Sequence, residues 1–298
     1  MNTKMGKIVI FGGSGFVGSH VADNLSEKGF EVVIYDLKDS PYIRSGQTMI
    51  VGDVLDENKV DETLKDASYV YNFSGIADLD IASDNPQKSI ENNIMGHTII
   101  LEKSRHHEIK RVVFASSVYV YSKHGSFYTI CKQTCEHLCE EYQRKYNLDY
   151  TILRYGSLYG PRAQMWNGVY RYLYQAIKEG KIDYPGSGDE KRRYIHVFDA
   201  ARLSADVLDE KYKNQCVIIT GNVDLSSRDL LTMIREMLNN KTDVQFTNKE
   251  FFHHYTLTPY SFIPKMGIQL TPNPSVDMGE GLLGQIEEIY KKVNNENK

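Results

Sequence analysis

Residues 7–25 read KIVIFGGSGFVGSHVADNL, and this stretch decides the fold. The apolar, β-branched run Lys7–Phe11 reads as a buried strand and Phe16–Leu25 as an amphipathic helix. Gly12, Gly13, Gly15 and Gly18 fall between and just after them, where a first strand-to-helix turn belongs. Such a turn needs a residue that tolerates positive φ, a backbone bare enough for a pyrophosphate to approach, and a small residue where helix meets sheet. Glycines at three-residue spacing meet all three needs, with Gly12, Gly15, Phe16, Val17 and Gly18 the expected contacts. The pattern can be written from Gly12 or from Gly13, and alone it also describes a structural turn.

Asp36 adds weight to the first reading. It ends the next strand-like run, EVVIYD, 18 residues after Gly18, where a carboxylate can accept hydrogen bonds from an adenosine ribose and repel a 2′-phosphate. NAD is therefore expected over NADP, with Lys38 offsetting part of that repulsion. Asp53, in GDVLD, can either face the adenine beside Val54 or cap the helix that follows. Strand-like runs continue at MIVGD, YVYNFSG, RVVFASS and YTILRYG, separated by helical stretches. Alternation of this kind predicts an α/β fold, a Rossmann-type doubly wound parallel sheet. Beyond Gly160-Pro161 the rhythm breaks, with a tyrosine-rich helix near Tyr170 to Lys178 and loops punctuated by proline. We expect an NAD-binding domain over residues 1–160, with 190–222 returning to its sheet, and a smaller C-terminal substrate lobe over 161–189 and 223–298.

After the fifth run come Ser116-Ser117, then Tyr128 and Lys132, which at i and i+4 share one helical face. Free tyrosine, with a pKa of about 10, is a poor base at neutral pH, but a nearby ammonium and a positive nicotinamide favour tyrosinate. Tyr128 can then move a proton while a hydride moves to or from the ring, with Ser117 bonding the reacting oxygen and Lys132 the nicotinamide ribose. By itself Y-x-x-x-K is common on helix surfaces. Its place after a strand ending in serines, in a sheet that begins with a glycine turn, gives it meaning.

The 298 residues, 41% hydrophobic and 25% charged with a net charge of −4, offer no bulk attraction to nucleic acid or to an anionic membrane. No apolar run approaches the roughly 20 residues that span a bilayer, and the N-terminus has no signal-peptide core, so a cytoplasmic protein is expected. Cys131, Cys135 and Cys139 recur every fourth residue and read as packing along one helical face. No metal site is expected, since Cys216 stands alone and the histidine pairs lie in polar or aromatic surroundings. Tyr170, Tyr172 and Tyr174, with Trp166 nearby, read as lobe packing before a base-stacking surface.

GGSGFVG, Asp36, GDVLD, NFSGIAD, NNIMGHTIILE, SSVYVYS, YTICK, RYGSLYGPR and RRYIHV, in that order, resemble the extended short-chain dehydrogenase/reductase family and especially its nucleotide-sugar epimerases and dehydratases. The resemblance implies that Gly75 and Ala77 line the cofactor, that Asn93 supports the active-site helix, and that Arg193 meets the diphosphate of a nucleotide sugar. Ser157 stands where the family has asparagine, and Arg162 or Lys249 substitutes for a second diphosphate arginine. The family's 4,6-dehydratases carry Thr-Asp-Glu where this chain has Ser117-Val118-Tyr119, so dehydration is not expected. Only 11 positions separate Ser117 from Tyr128, fewer than in most extended members. The implied activity is hydride transfer at a ring carbon, C4, of a UDP-, GDP- or dTDP-linked sugar, as dehydrogenase or 4-epimerase. A fainter likeness runs to the GDP-heptose C4 dehydrogenases of capsule synthesis. A non-catalytic NAD-binding sensor and a reductase of small carbonyl compounds are the competing readings. A homo-oligomer is implied through the helix that begins near Tyr128, with its cysteines packing there.

Overall fold

Eleven residues of alternating side-chain direction explain why both β1 and β2 read as unbroken apolar runs. Ile8, Ile10, Val32 and Ile34 enter one core and Val9, Phe11, Val33 and Tyr35 the other, because a parallel strand is covered on both faces. The computed structural model describes residues 5–122, 124–222 and 224–247. Its strands are β1 (Lys7–Phe11), β2 (Glu31–Asp36), β3 (Gln47–Val51), β4 (Ala67–Asn72), β5 (Arg111–Ser117), β6 (Tyr150–Tyr155), β7 (Ser157–Tyr159), β8 (Lys181–Tyr184), β9 (Lys191–His196), β10 (Gln215–Ile219), β11 (Asp224–Ser226) and β12 (Asp243–Phe246). The helices are α1 (Phe16–Glu27), α2 (Glu57–Leu64), α3 (Leu79–Asp84), α4 (Pro86–Ile90), α5 (Gly96–His106), α6 (Ser126–Tyr146), α7 (Gly168–Glu179), α8 (Val197–Asp206) and α9 (Ser227–Met237).

Seven strands form the main sheet in the order β10-β6-β5-β4-β1-β2-β3, and every pairing in it is parallel. The order reverses between β1 and β4, which opens a crevice at the carboxyl ends of those strands. Phe11, Asn72 and Phe114 lie in register along that edge. Residues of α5 and α6 help close the core on one face, and those of α1 and α8 the other; each fully buried Ile, Leu or Val contributes about 1.5–3 kcal/mol.

Gln215–Ile219 pairs with β6 as the outermost strand. A separate apolar cluster of Tyr172, Ile182, Tyr184, Leu231 and Ile234 holds α7, α9, β8 and β12 together. Two small sheets, β11-β9-β7 and β12-β8, complete the described residues. Among them no helix is long and apolar enough to cross a membrane, and no cluster of ligands suits a metal. The tyrosines of α7 divide: Tyr172 is buried with its ring 5.5 Å from that of Tyr184, whereas Tyr170 and Tyr174 stack on each other at the surface. Cys131, Cys135 and Cys139 are buried beneath α6 and so face the chain's own interior instead of a second copy.

Inside the sheet–α5 interface sits His97, 1% exposed. Burial, helped by the Lys132 ammonium, pulls its pKa from 6.5 down to about 3. Above pH 6.5 the ring is neutral in both folded and unfolded chains and contributes nothing to pH dependence. Below it the unfolded chain takes up a proton that the folded one refuses, so stability falls as pH drops from 6.5 toward 3, by up to about 1.4 kcal/mol per pH unit. Urea unfolding followed by circular dichroism at pH 7.5 and 5.5 should show this loss in the wild type and a smaller one in His97→Asn. Equal losses in the two proteins would remove His97 from the acid sensitivity.

Candidate active site

The turn after β1 is shaped by what its glycines leave out. Gly12 has φ 73°, and a Cβ on it would lie 2.6 Å from the Phe73 carbonyl carbon and the Ser74 nitrogen. A Cβ on Gly18 would lie 2.4 Å from the Gly12 carbonyl oxygen. The turn is held by Gly12 N–H donating to Tyr35 O at 2.8 Å and Gly15 N–H to Gly12 O at 3.1 Å. No side chain caps α1, which begins at Phe16 and Val17 behind Gly15; by contrast Asp56, Asn167 and Ser226 cap α2, α7 and α9. A bare glycine turn opening onto an uncapped helix is the form that a dinucleotide diphosphate requires.

Asp36, at the end of β2, accepts Ser14 N–H at 3.0 Å on Oδ2 and Leu37 N–H at 2.8 Å on Oδ1. Each oxygen retains a lone pair that can accept a ribose hydroxyl. Asp53 turns back on the Leu55 amide at 3.0 Å, and the cap of α2 is Asp56, which accepts Lys59 N–H; the capping role weighed for Asp53 therefore belongs three residues later. Val54 is buried against Gly96.

Across the crevice, the loop after β4 is pinned by Asn93, which lies in a π-helical turn, Glu91–Met95, ahead of α5. Its Oδ1 accepts Ile76 N–H at 2.7 Å and its Nδ2 donates to Ile76 O at 3.2 Å. Gly75 and Ala77 flank that anchor, both exposed. The Asn93 carbonyl accepts the Cys135 thiol at 3.2 Å, which joins this loop to α6.

Ser117 closes β5 and accepts Tyr119 N–H at 3.2 Å, starting a single 3₁₀ turn, Val118–Tyr121. Ser117, Tyr128 and Lys132 are all buried, at 7%, 9% and 7% exposure. Lys132 Nζ donates to Ala115 O at 2.7 Å and stands 4.8 Å from the Phe114 ring centre and 5.6 Å from that of Tyr128. The helix thus returns its Tyr-Lys face to the strand that ends in Ser117. Burial pulls the Lys132 pKa below that of an ordinary lysine. The Tyr119 ring meets Tyr128 edge-on at 6.2 Å.

One turn further along α6, Glu136 supplies an anchor that the sequence reading passed over. It accepts Ser116 Oγ–H at 2.5 Å and two bonds from Arg154 on β6, at 3.0 and 2.6 Å. Arg154 also donates to Tyr121 Oη. The residues on either side of Ser117 and the helix bearing Tyr128 are therefore tied to one buried ion pair.

The two arginines expected at the diphosphate each form an ion pair within the chain. Arg162 donates to Asp23 at 2.8 Å and covers the Tyr42 ring, 4.6 Å from its centre, so it straps the loop after β7 to α1. Arg193 pairs with Asp224 at 3.0 Å across β9 and β11, on a partly exposed surface. Arg192 precedes it on the opposite strand face and donates to Ser227 at 3.3 Å; its face could have been read from strand alternation, because Ile195 enters the core and puts Arg193 on the same side. Ser157 lies on β7 opposite Tyr194. Lys249 lies outside the described residues.

Comparisons with known proteins agree with this geometry. The family model for the NAD dependent epimerase/dehydratase family matches residues 8–219. A UDP-N-acetyl-alpha-D-glucosaminuronate decarboxylase of Bacillus cytotoxicus is 25% identical, over 97% of this chain and 99% of that protein. A dTDP-glucose 4,6-dehydratase of Streptomyces antibioticus is 23% identical, over 80% and 78%. Among solved structures, the UDP-glucuronic acid 4-epimerase of Bacillus cereus, in complex with UDP-glucuronic acid and NAD, superposes with a TM-score of 0.79 at 23% identity, covering 86% of this chain and 90% of that one. At that identity the superposition establishes the fold. The three relatives differ in reaction, so likeness alone fixes the family and not the final product.

Proposed function

Because the chain belongs to the NAD-dependent epimerase/dehydratase family, with NAD as its cofactor, we propose that it oxidises a ring carbon of a nucleotide-activated sugar, C4, as a dehydrogenase or a 4-epimerase. The observation that carries this reading is the return of Tyr128 and Lys132 to the strand ending in Ser117, at the same sheet edge as the glycine turn. Bound NAD supplies a hydride acceptor. Tyr128 takes the proton of the sugar hydroxyl, and Ser117 Oγ–H donates to the same oxygen. Lys132 favours the ionised tyrosine by its charge and holds the nicotinamide ribose. The amides at the start of α1, Phe16, Val17 and Gly18, hold the diphosphate of NAD, and Gly12 and Gly15 leave the room for it; Asp36 holds its adenosine ribose, Asp53 and Val54 the adenine side, and Gly75, Ala77 and Asn93 the opposite wall.

Val118 and Tyr119 support the exclusion of 4,6-dehydration. Val118 is 1% exposed and has no ionisable group, so this turn, VYVY, offers no carboxylic acid to help expel water from C5 and C6. Ser157, Arg162 and Arg193 are the residues we assign to the substrate side, the two arginines exchanging their carboxylate partners Asp23 and Asp224 for the diphosphate. UDP is the nucleotide to test first, because the decarboxylase and the 4-epimerase that this chain resembles are UDP-sugar enzymes, with GDP and dTDP sugars beside it. A homo-oligomer through α6, whose outward Ile130 is 52% exposed, is part of this reading.

Incubation with UDP-, GDP- and dTDP-sugars, followed by absorbance and by sugar stereochemistry, separates the outcomes. Net NADH signifies a dehydrogenase, and an inverted sugar without NADH an epimerase. No change with any sugar nucleotide would favour a non-catalytic sensor.

A further inference from the structure

Asn72 ends β4 beside the crevice and is 2% exposed. Its Oδ1 accepts both Ser74 N–H at 2.9 Å and Ser74 Oγ–H at 2.6 Å. The opposite end of the side chain is therefore the NH₂ group, and it faces His97 Nδ1 at 2.9 Å. A nitrogen facing a donor must accept, so the ring proton sits on Nε2, which donates to Cys139 Sγ at 3.2 Å. The tautomer follows from this network alone. A proton on Nδ1 would oppose the Asn72 amide, and flipping that amide would turn its NH₂ against the Ser74 N–H.

The consequence reaches the cofactor site. Phe73 and Ser74 are the backbone against which Gly12 packs, 2.6 Å from where a Cβ would stand. Asn93 holds the other end of the same loop at Ile76. We propose that His97 is a positioning residue for the NAD site: its neutral ring orients the Asn72 amide, which fixes residues 73–77 against the glycine turn. His97 touches no part of the reacting groups itself. The titratable groups that act on it are Lys132 and Cys139 of α6, and the backbone of Cys135 also bonds the ring. The Phe114 ring contacts both, 4.3 Å from the imidazole centre and 4.8 Å from Lys132 Nζ. Both the deep burial and that cation keep the ring uncharged.

The test compares His97→Phe, which fills the space without an acceptor, with His97→Asn, whose Oδ1 stands where Nδ1 stood. NAD affinity by calorimetry and amide hydrogen exchange at Ser74 and Ile76 are read in parallel, with no substrate present. Leaving the Asn72 amide without its acceptor should weaken NAD about tenfold in His97→Phe and speed exchange at Ser74. His97→Asn should stay close to the wild type in both readouts. Ser74→Ala, which removes only the 2.6 Å bond at the loop, should weaken NAD to a lesser degree, and it carries the test if His97→Phe does not fold. Wild-type affinity and exchange in His97→Phe, equal damage in His97→Asn, or no effect of Ser74→Ala when it must stand alone would each overturn the assignment.

Discussion

Tyr128→Phe is expected to lower turnover by about 10²–10⁴-fold while leaving NAD affinity and thermal stability unchanged. The ring stays, so its edge contact with Tyr119 and its place above Lys132 stay as well. Only the hydroxyl to which we assign the proton transfer is lost. The effect should fall on kcat and on kcat/KM together, the pattern of a group that acts in the transition state. A fall in KM-linked terms alone would assign Tyr128 to sugar binding instead of proton transfer.

Glu136→Ala should destabilise the protein by about 3–5 kcal/mol, since it strands the Arg154 guanidinium among buried groups. The side chains of the pair are 7% and 17% exposed, so water does little to relieve the orphaned charge. Ser116 Oγ loses its acceptor in the same variant. The paired change Glu136→Leu with Arg154→Met should recover most of the stability, as replacing both members of a buried pair commonly does. Activity should not recover with it, because Ser116 and Tyr121 would still have lost the anchor that frames Ser117. Urea midpoints of the single and paired variants measure the first part, and steady-state rates the second. A single variant that loses less than about 1 kcal/mol would place the pair among ordinary surface bridges.

Local chemistry made much of this readable from the sequence. Gly12, Gly18 and Asp36 lie within one strand-turn-helix unit and the next strand, so spacing alone was enough to place them at one sheet edge. Ser117, Tyr128 and Lys132 were legible because a strand followed by a helix is enough to bring them together. The ion pairs of Arg162 and Arg193 were not, because each partner lies far along the chain: Asp23 is 139 positions from Arg162, and Asp224 is 31 from Arg193. The sequence shows a cation and hides what neutralises it. Glu136 and Arg154 escaped for the same reason, one on a helix and the other on a strand. His97 did leave a trace, since it shares the buried stripe of α5 with Ile100, Leu101 and Ser104. A histidine at that spacing reads as packing until the Asn72 and Ser74 bonds give it a direction.

The central claim is hydride transfer from a sugar-nucleotide ring carbon, and isotope tracing tests it most directly. The enzyme, with its NAD, is mixed with a UDP-hexose carrying deuterium at C4, and then with GDP- and dTDP-linked counterparts. The nicotinamide is recovered after a single turnover and analysed by mass spectrometry. Deuterium on the reduced nicotinamide, or deuterium returned to C4 of a sugar inverted at that carbon, from at least one of these substrates is the predicted result. Retention of all deuterium at C4 with unchanged configuration and no reduced nicotinamide for every substrate, or its loss to water without appearing on the cofactor, would contradict the account.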